Sequence, residues 1–141
     1  MSAFYDALET RTPQEREAAL LAALPRQIAH AQQYSSAFAA ILQGVDAANI
    51  TSRAALARLP VTRKHELLER QKSERSRHAF GGFNAIGFGK AMPRMFASPG
   101  PIYEPEGSRP DYWRMARAIY AAGFRAGELA HNSFSYHFVP A

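Results

Sequence analysis

The sequence contains no cysteine among its 141 residues. A disulfide framework, a thiolate metal site and a cysteine nucleophile are therefore excluded. No apolar run approaches the roughly 20 residues that a membrane-spanning helix needs. The opening residues, MSAFYDALETR, include an early acidic residue and lack the apolar centre of a secretory signal peptide. These absences predict a cytoplasmic protein that does not associate with membranes.

The composition is that of a folded chain, with 47% hydrophobic and 21% charged residues, and the length fits about one domain. The formal net charge of +5 is compatible with an anionic partner such as a carboxylate, a nucleotide or a nucleic acid. Much of the basic charge lies between residues 53 and 77, where Glu66, Glu69 and Glu74 alternate with it. A mixed-sign stretch of this kind is typical of a solvated helix face.

Residues 1–75 are predicted to form a helical N-terminal segment. The first helix begins at the sequence TPQE, residues 12–15, because a threonine followed three residues later by glutamate forms a capping box, with proline at the first helical position. Pro25 is predicted to kink or break this helix, because it lacks a backbone donor. Further helices are predicted at residues 26–33, 36–42, 53–58 and 63–71.

Residues 76–93 are predicted to form a glycine-rich loop. The pair Gly89-Lys90 has some likeness to a phosphate-binding P-loop. However, Asn84 stands where that motif needs its first glycine, and Ala91 stands where it needs the Ser or Thr that binds Mg²⁺. A P-loop of this type is therefore excluded.

The remaining pattern predicts an α/β fold whose core begins within residues 76–141. We expect a strand at 94–97, a stiff loop at 98–107, a helix at 111–122 and a second strand at 128–135. Prolines remove backbone donors from the loop, so it is not expected to join a β-ladder. The chain stops on an apolar stretch without a capping element, which predicts a fragment of a larger enzyme.

Three stretches occur in a recognisable order: ARLPVTRKHEL at residues 57–67, a strand that leads into a Ser-containing loop, and YAAGFRAGE at residues 120–128. This order resembles the N-terminal part of the phenylacetate–CoA ligase branch of the adenylate-forming (AMP-forming) ligase superfamily. The resemblance implies the first βα units of a larger ligase domain. It also implies that ATP and Mg²⁺ activate an aryl or other carboxylic acid to an acyl-adenylate, which then passes to CoA. The fragment alone is expected to be inactive, and a homodimer is a possible assembly.

The loop that should bind phosphate departs from the family pattern. The family sequence is approximately SSGTTGKPT, whereas this chain has SPGPIYEPE at residues 98–106, which keeps Ser98, Gly100 and a later proline. Prolines remove backbone donors and glutamates add negative charge, so this degenerate phosphate loop is not expected to grip ATP in the usual way. Arg109, Arg114 or residues elsewhere would have to supply the positive charge.

The resemblance also assigns candidate site residues. The candidates for cofactor binding lie in the degenerate phosphate loop and are Ser98, Gly100 and Glu104. The candidates for substrate binding lie at the end of the second predicted strand and are Asn132, Tyr136 and Phe138. No catalytic residue and no metal ligand is assigned, although Glu104 and Glu106 offer an alternative in which a metal ion bridges to phosphate.

Other functions remain open. The first is a non-catalytic binding or assembly module that kept the scaffold after its phosphate loop decayed. Nucleic-acid binding through residues 53–77 rests on charge alone, without interleaved aromatic residues for base stacking, so no nucleic-acid partner is expected. A hydrolase is disfavoured because no G-x-S-x-G sequence accompanies the serines and histidines of residues 131–137.

Overall fold

The computed structural model describes residues 2–133. These residues form five α-helices, a two-stranded antiparallel sheet and two short 3-10 turns, which is compatible with the predicted α/β class. The helices are α1 (Pro13–Tyr34), α2 (Ser36–Ile41), α3 (Arg53–Leu56), α4 (Lys64–Glu74) and α5 (Ala116–Ala121). The strands are β1 (Arg94–Ser98) and β2 (Ile102–Glu106), and the 3-10 turns are Ala7–Thr10 and Ala47–Asn49. No helix within the described range is long and apolar enough to cross a membrane.

The first helix begins as predicted but does not break. Glu15 donates its backbone N–H to Thr12 Oγ1 at 3.2 Å, and the Glu15 carboxylate accepts from the Thr12 N–H at 2.7 Å, so the capping box is confirmed. The predicted break at Pro25 is wrong, because Pro25 lies inside α1, which is continuous over its 22 residues. Proline removes only one intrahelical hydrogen bond, and the packing of Leu24 and Ile28 in the core offsets that loss.

Ser35 joins α1 to α2 and anchors the loop that follows α4. Its side chain is 2% exposed, and its hydroxyl donates to the carbonyl of Gly82 at 2.7 Å. The same hydroxyl oxygen accepts from the Phe38 N–H at 3.3 Å, which caps α2. Because the Ala37 N–H also donates to Gly82 at 3.0 Å, the predicted loop 76–93 is fixed against the α1–α2 junction.

The two middle helices occur where the sequence predicts them, with different ends. α3 is shorter than the predicted 53–58, and α4 extends three residues beyond the predicted end at 71. The N-cap of α4 is Arg63, whose backbone N–H donates to the Glu66 carboxylate at 2.9 Å. The core that α1, α2 and α3 enclose is small, and its buried members are Ile28, Leu42, Ile50 and Ala55.

The predicted loop 98–107 is largely a strand, which corrects the sequence-based expectation. β2 pairs antiparallel with β1, from Arg94 opposite Glu106 to Ser98 opposite Ile102. Two of the prolines lie in the three-residue turn between the strands, where no ladder bond is required. Pro105, opposite Met95, lies in the ladder, but its nitrogen faces the outer edge of β2, where no partner strand needs a donor.

The side chain of Gln71 on α4 covers that outer edge. Its amide nitrogen donates to the Tyr103 carbonyl at 3.0 Å, and its amide oxygen accepts from the Tyr103 N–H at 2.8 Å. Gln71 is 1% exposed, so a buried side-chain amide replaces a neighbouring strand at this position. The contact fixes the hairpin to the helical segment.

The region after the hairpin differs most from the prediction. α5 begins five residues later than predicted, because Asp111 and Arg114 adopt left-handed backbone conformations with φ of 50° and 59°. The helix ends at Ala121, one residue before the predicted end, and Gly123 follows its C-cap with a φ of 104°. The predicted strand 128–135 is absent across residues 128–133, and its last two residues lie outside the described range.

Candidate functional site

An open groove of about 750 Å³ lies between the α1–α2 junction and the segment that follows β2. Four aromatic side chains line it: Phe38, Phe83, Tyr112 and Trp113. The charged and titratable side chains that line it are His30, Glu104, Arg109 and Arg114. The groove therefore combines a wide aromatic surface with a few ionic groups, which is the usual constitution of a small-molecule site.

One wall of the groove is a turn that holds Tyr112 and Trp113. The backbone of Gly107 lies against this turn, and a Cβ there would be 2.7 Å from Tyr112 Cε2, so a larger residue would displace the Tyr112 ring. Asp111 and Arg114, on either side of the two aromatic residues, have the left-handed conformations noted above. Non-glycine residues in such conformations cost roughly 1–3 kcal/mol each and concentrate at ligand-binding segments. This turn therefore has the character of a functional segment.

Trp113 is held from behind by a buried carboxylate. Its indole Nε1 donates to Glu106 Oε2 at 2.9 Å, and the ring packs edge-on against Phe96 at 6.2 Å between centroids. Glu106 Oε1 accepts from Arg94 Nε at 2.9 Å and also from Arg94 Nη2. Arg94, Phe96 and Glu106 share one face of the hairpin, because alternate residues of a strand point the same way and these positions pair across the ladder.

The charged state of Glu106 is favoured by these contacts. The Arg94 guanidinium, followed by the Trp113 N–H, lowers the pKa of the Glu106 carboxyl below its ordinary value of 4.5. A group whose pKa is lower in the folded state stabilises the fold above its unfolded pKa, and this stabilisation disappears as the pH falls through the folded pKa. We therefore expect part of the acid sensitivity of the fold to come from Glu106.

The variant Glu106→Gln tests this expectation. It should be less stable than the wild type at pH 7, and the difference in free energy of unfolding should shrink as the pH falls below 4.5, because the wild type then loses the same charge. Urea denaturation at several pH values measures it. The control is Glu69→Gln, which removes a carboxylate from an exposed ion pair with Lys72. A difference from wild type that stays constant down to pH 2 would contradict the prediction.

The opposite wall is formed by Phe83, next to the glycine that Ser35 anchors. Phe83 meets Phe38 edge-on at 5.5 Å, and the guanidinium of Arg70 lies 5.6 Å from the Phe83 ring centroid. A cation over an aromatic face is favourable by about 0.5–1 kcal/mol at a partly exposed site. The ring is therefore held from both α2 and α4.

The ionic groups of the groove favour a single negative charge on a ligand. Two arginines and one glutamate line it, which gives one net positive charge when His30 is neutral. The guanidinium of Arg109 lies 5.8 Å from the Tyr112 ring centroid, so a cation and an aromatic ring stand side by side. A triphosphate carries more negative charge than these groups can balance, whereas the charge of a single carboxylate matches theirs.

The predicted cofactor-binding residues are separated in the structure. Glu104 lines the groove, whereas Ser98 and Gly100 lie at the turn of the hairpin and are not part of the groove lining. The Ser98 hydroxyl donates to the Ile102 carbonyl at 3.3 Å, within the turn. Only one of the three predicted residues therefore reaches the candidate site.

None of the predicted substrate-binding residues is found among the described residues that line the groove. Asn132 lies in a segment without regular secondary structure and is not among the residues that line the groove. Tyr136 and Phe138 lie outside the described residues. Sequence reasoning named Arg109 and Arg114 as substitute cations but missed the aromatic rings between them, although the run DYWR following a glycine and a proline contains that pattern.

The hairpin turn does not fit a triphosphate. Pro99 and Pro101 have no N–H, and the Tyr103 N–H is already bonded to Gln71. The backbone N–H of Tyr103 points away from β1. The backbone N–H groups of its neighbours Ile102 and Glu104 therefore point towards β1 and belong to the ladder. Few backbone donors are left there for phosphate oxygens.

The alternative metal site at Glu104 and Glu106 does not fit either. Both oxygens of Glu106 already accept hydrogen bonds from Arg94 and Trp113. Within residues 2–133, no group of three or more His, Asp or Glu side chains is arranged to hold a metal ion. The Glu104 carboxylate is therefore best understood as a polar group of the groove.

No family model matches the chain, and neither a curated protein nor a solved structure matches it significantly. What the groove can bind therefore follows from its own contacts and charges. Its lining combines aromatic rings with two arginines and one glutamate.

Proposed function

We propose that this chain binds an aromatic carboxylic acid as the N-terminal part of a cytoplasmic AMP-forming acid–CoA ligase. The observation that carries the proposal is the groove, whose lining includes Arg109 and Arg114 together with four aromatic rings. The resemblance of the sequence to phenylacetate–CoA ligases supports the same class of substrate. In this proposal the groove holds the acid before it is activated.

The chemistry of the groove matches the two ends of such an acid. The carboxylate pairs with the guanidinium groups, and hydrogen bonds of this charged type contribute about 1.5–3 kcal/mol each when water is excluded. The ring lies against Tyr112 and Trp113, and such aromatic pairs add about 0.5–1.5 kcal/mol beyond area burial. Because the groove is open and the ligand is small, we expect a Kd on the order of 1 mM for phenylacetate.

The hairpin turn is assigned no part in gripping ATP. Its prolines and its paired backbone donors leave little to bind a triphosphate, so ATP, Mg²⁺ and CoA would be held by other groups of the ligase. The described residues contribute recognition of the acid, in which Arg109 and Arg114 orient the carboxylate.

A binding titration tests the proposal directly. Trp113 is the only tryptophan in the sequence and lines the groove, so phenylacetate should quench its fluorescence in a saturable manner. Phenylacetamide has the same ring without the charge, and we expect it to bind at least tenfold more weakly. Equal binding of the acid and the amide, or no saturable quenching by any aryl acid, would overturn the proposal.

Substitutions of the two arginines should weaken phenylacetate binding. We expect Arg109→Gln and Arg114→Asn each to raise the Kd about tenfold, the loss of one charge-assisted contact. Asparagine is chosen at position 114 because it tolerates the left-handed backbone found there. Arg16→Gln, at an exposed position on α1, is the matched control and should leave the Kd unchanged.

The alternative is a non-catalytic binding module on the same scaffold, which the poor phosphate cradle of the hairpin favours. A pyrophosphate-exchange assay on the protein that contains this chain distinguishes the two functions. A ligase incorporates pyrophosphate into ATP only when an aryl acid is present. Acid binding without exchange would support the binding module and exclude the ligase.

A further inference from the structure

Glu106 is the only buried acidic residue among those described, and it does not line the groove. It is 6% exposed, and a carboxylate so far from water needs partners to stay charged. Arg94 supplies the charge on one oxygen, and the indole of Trp113 supplies a donor on the other. The carboxylate therefore joins the strand β1 to the wall of the groove.

Trp113 needs such an anchor because of where it lies. Its side chain is 37% exposed, and it belongs to the turn between the left-handed residues Asp111 and Arg114. The turn has its own hydrogen bonds, from the Arg114 N–H to the Asp111 carbonyl at 2.9 Å and from the Ala116 N–H to Asp111 Oδ1 at 3.0 Å. These bonds fix the backbone, whereas the indole packs edge-on against Phe96 and Tyr112 and makes its hydrogen bond to Glu106.

We propose that Glu106 is a positioning residue that fixes the indole of Trp113 as the ring-binding wall of the groove and thereby selects flat aromatic acids over aliphatic ones. This inference rests on the proposed function of the groove. An indole that is already held in place loses no conformational freedom when a ring packs against it, so the ligand keeps more of its binding free energy. An aliphatic acid gains little from this wall and depends mainly on the arginines.

The first test needs no ligand. In Glu106→Met the side chain fills the space but accepts no hydrogen bond, whereas in Glu106→Gln the amide oxygen still accepts from the indole. We expect acrylamide to quench Trp113 about twofold more strongly in Glu106→Met than in the wild type, with Glu106→Gln close to the wild type. A residue that acts only through stability would not produce this order, because both variants lose the ion pair with Arg94.

A core variant distinguishes positioning from general loosening. Leu42→Ala truncates a residue of the cluster around Ile28, which does not include Trp113, and should destabilise the fold without changing the acrylamide quenching. Equal quenching in Glu106→Met and Glu106→Gln, or a Glu106→Met variant that is indistinguishable from the wild type, would overturn the proposal. Strong quenching in Glu106→Gln would likewise contradict the role, and this outcome can be measured even if Glu106→Met does not fold.

The second test measures selectivity. We expect Glu106→Met to raise the Kd of phenylacetate five- to tenfold and that of butanoate less than twofold, with binding followed by calorimetry. Trp113→Phe, which keeps a ring but cannot bond to Glu106, should show the same pattern. Equal losses for both acids would overturn the assigned selectivity. If the wild type binds no aryl acid, the proposed function fails, while the quenching comparison still decides whether Glu106 positions the indole.

Discussion

The variant Gly81→Ala should lower the free energy of unfolding by about 2–5 kcal/mol. Gly81 has a φ of 60°, and a left-handed conformation costs a residue with a Cβ roughly 1–2 kcal/mol. A Cβ there would lie 2.9 Å from the backbone nitrogen of Gln71, and overpacking against a helix backbone costs about another 1–3 kcal/mol. Domains of this size are stable by only about 5–15 kcal/mol, so the effect should be large in urea denaturation.

Two other glycines separate the contributions of conformation and space. Gly44 has a φ of 79° with nothing near its missing Cβ, so Gly44→Ala should cost about 1–2 kcal/mol. Gly87 is free of both constraints, and Gly87→Ala should change the stability by less than about 0.5 kcal/mol. The same loss at positions 44 and 81 would show that α4 yields to the added methyl group.

The helical half of the fold could be predicted because its determinants are local. The capping box at Thr12 and Glu15 and the helix end at Gly123 each depend on residues within one turn of each other. Pro25 misled the prediction because the cost of one missing hydrogen bond is local, whereas the packing of α1 that offsets it is tertiary. Helix positions were accordingly more reliable than helix lengths.

The hairpin could not be predicted, because the contacts that permit it are distant in the sequence. A proline is acceptable in a strand when its nitrogen faces an edge, and which edge Pro105 faces is set by pairing with β1. The outer edge of β2 is then satisfied by Gln71, 32 residues away. No pattern within residues 98–107 indicates that partner.

The candidate site shows the same division between local and distant causes. Arg109 and Arg114 were identified as the charges that an anion would need, since they follow the degenerate loop directly. The groove itself requires Phe38 from α2 and Phe83 from the loop after α4 to meet Tyr112 and Trp113, and only the fold brings these together. The two arginines of the site could therefore be predicted from the sequence, whereas the grouping of its four aromatic residues could not.

The second large effect is expected at Gln71, which links the two halves. Gln71→Met keeps the length and the helix propensity of the side chain but removes both hydrogen bonds to Tyr103. Each backbone group left unpaired costs about 1–3 kcal/mol when it is shielded from water, so we expect a loss of about 2–6 kcal/mol for the two groups. Urea denaturation measures the loss, and hydrogen exchange of the Tyr103 amide should accelerate more than that of amides in α1.

The control is Gln33→Met at an exposed position on α1, which should change the stability by less than about 0.5 kcal/mol. Because β2 leads directly into Glu106 and the turn at Trp113, Gln71→Met should also increase the acrylamide quenching of Trp113. A destabilised variant in which Tyr103 exchange and Trp113 quenching both match the wild type would show that the edge of β2 is held without Gln71. If both change together, one amide side chain on α4 supports the hairpin and, through it, the wall of the groove.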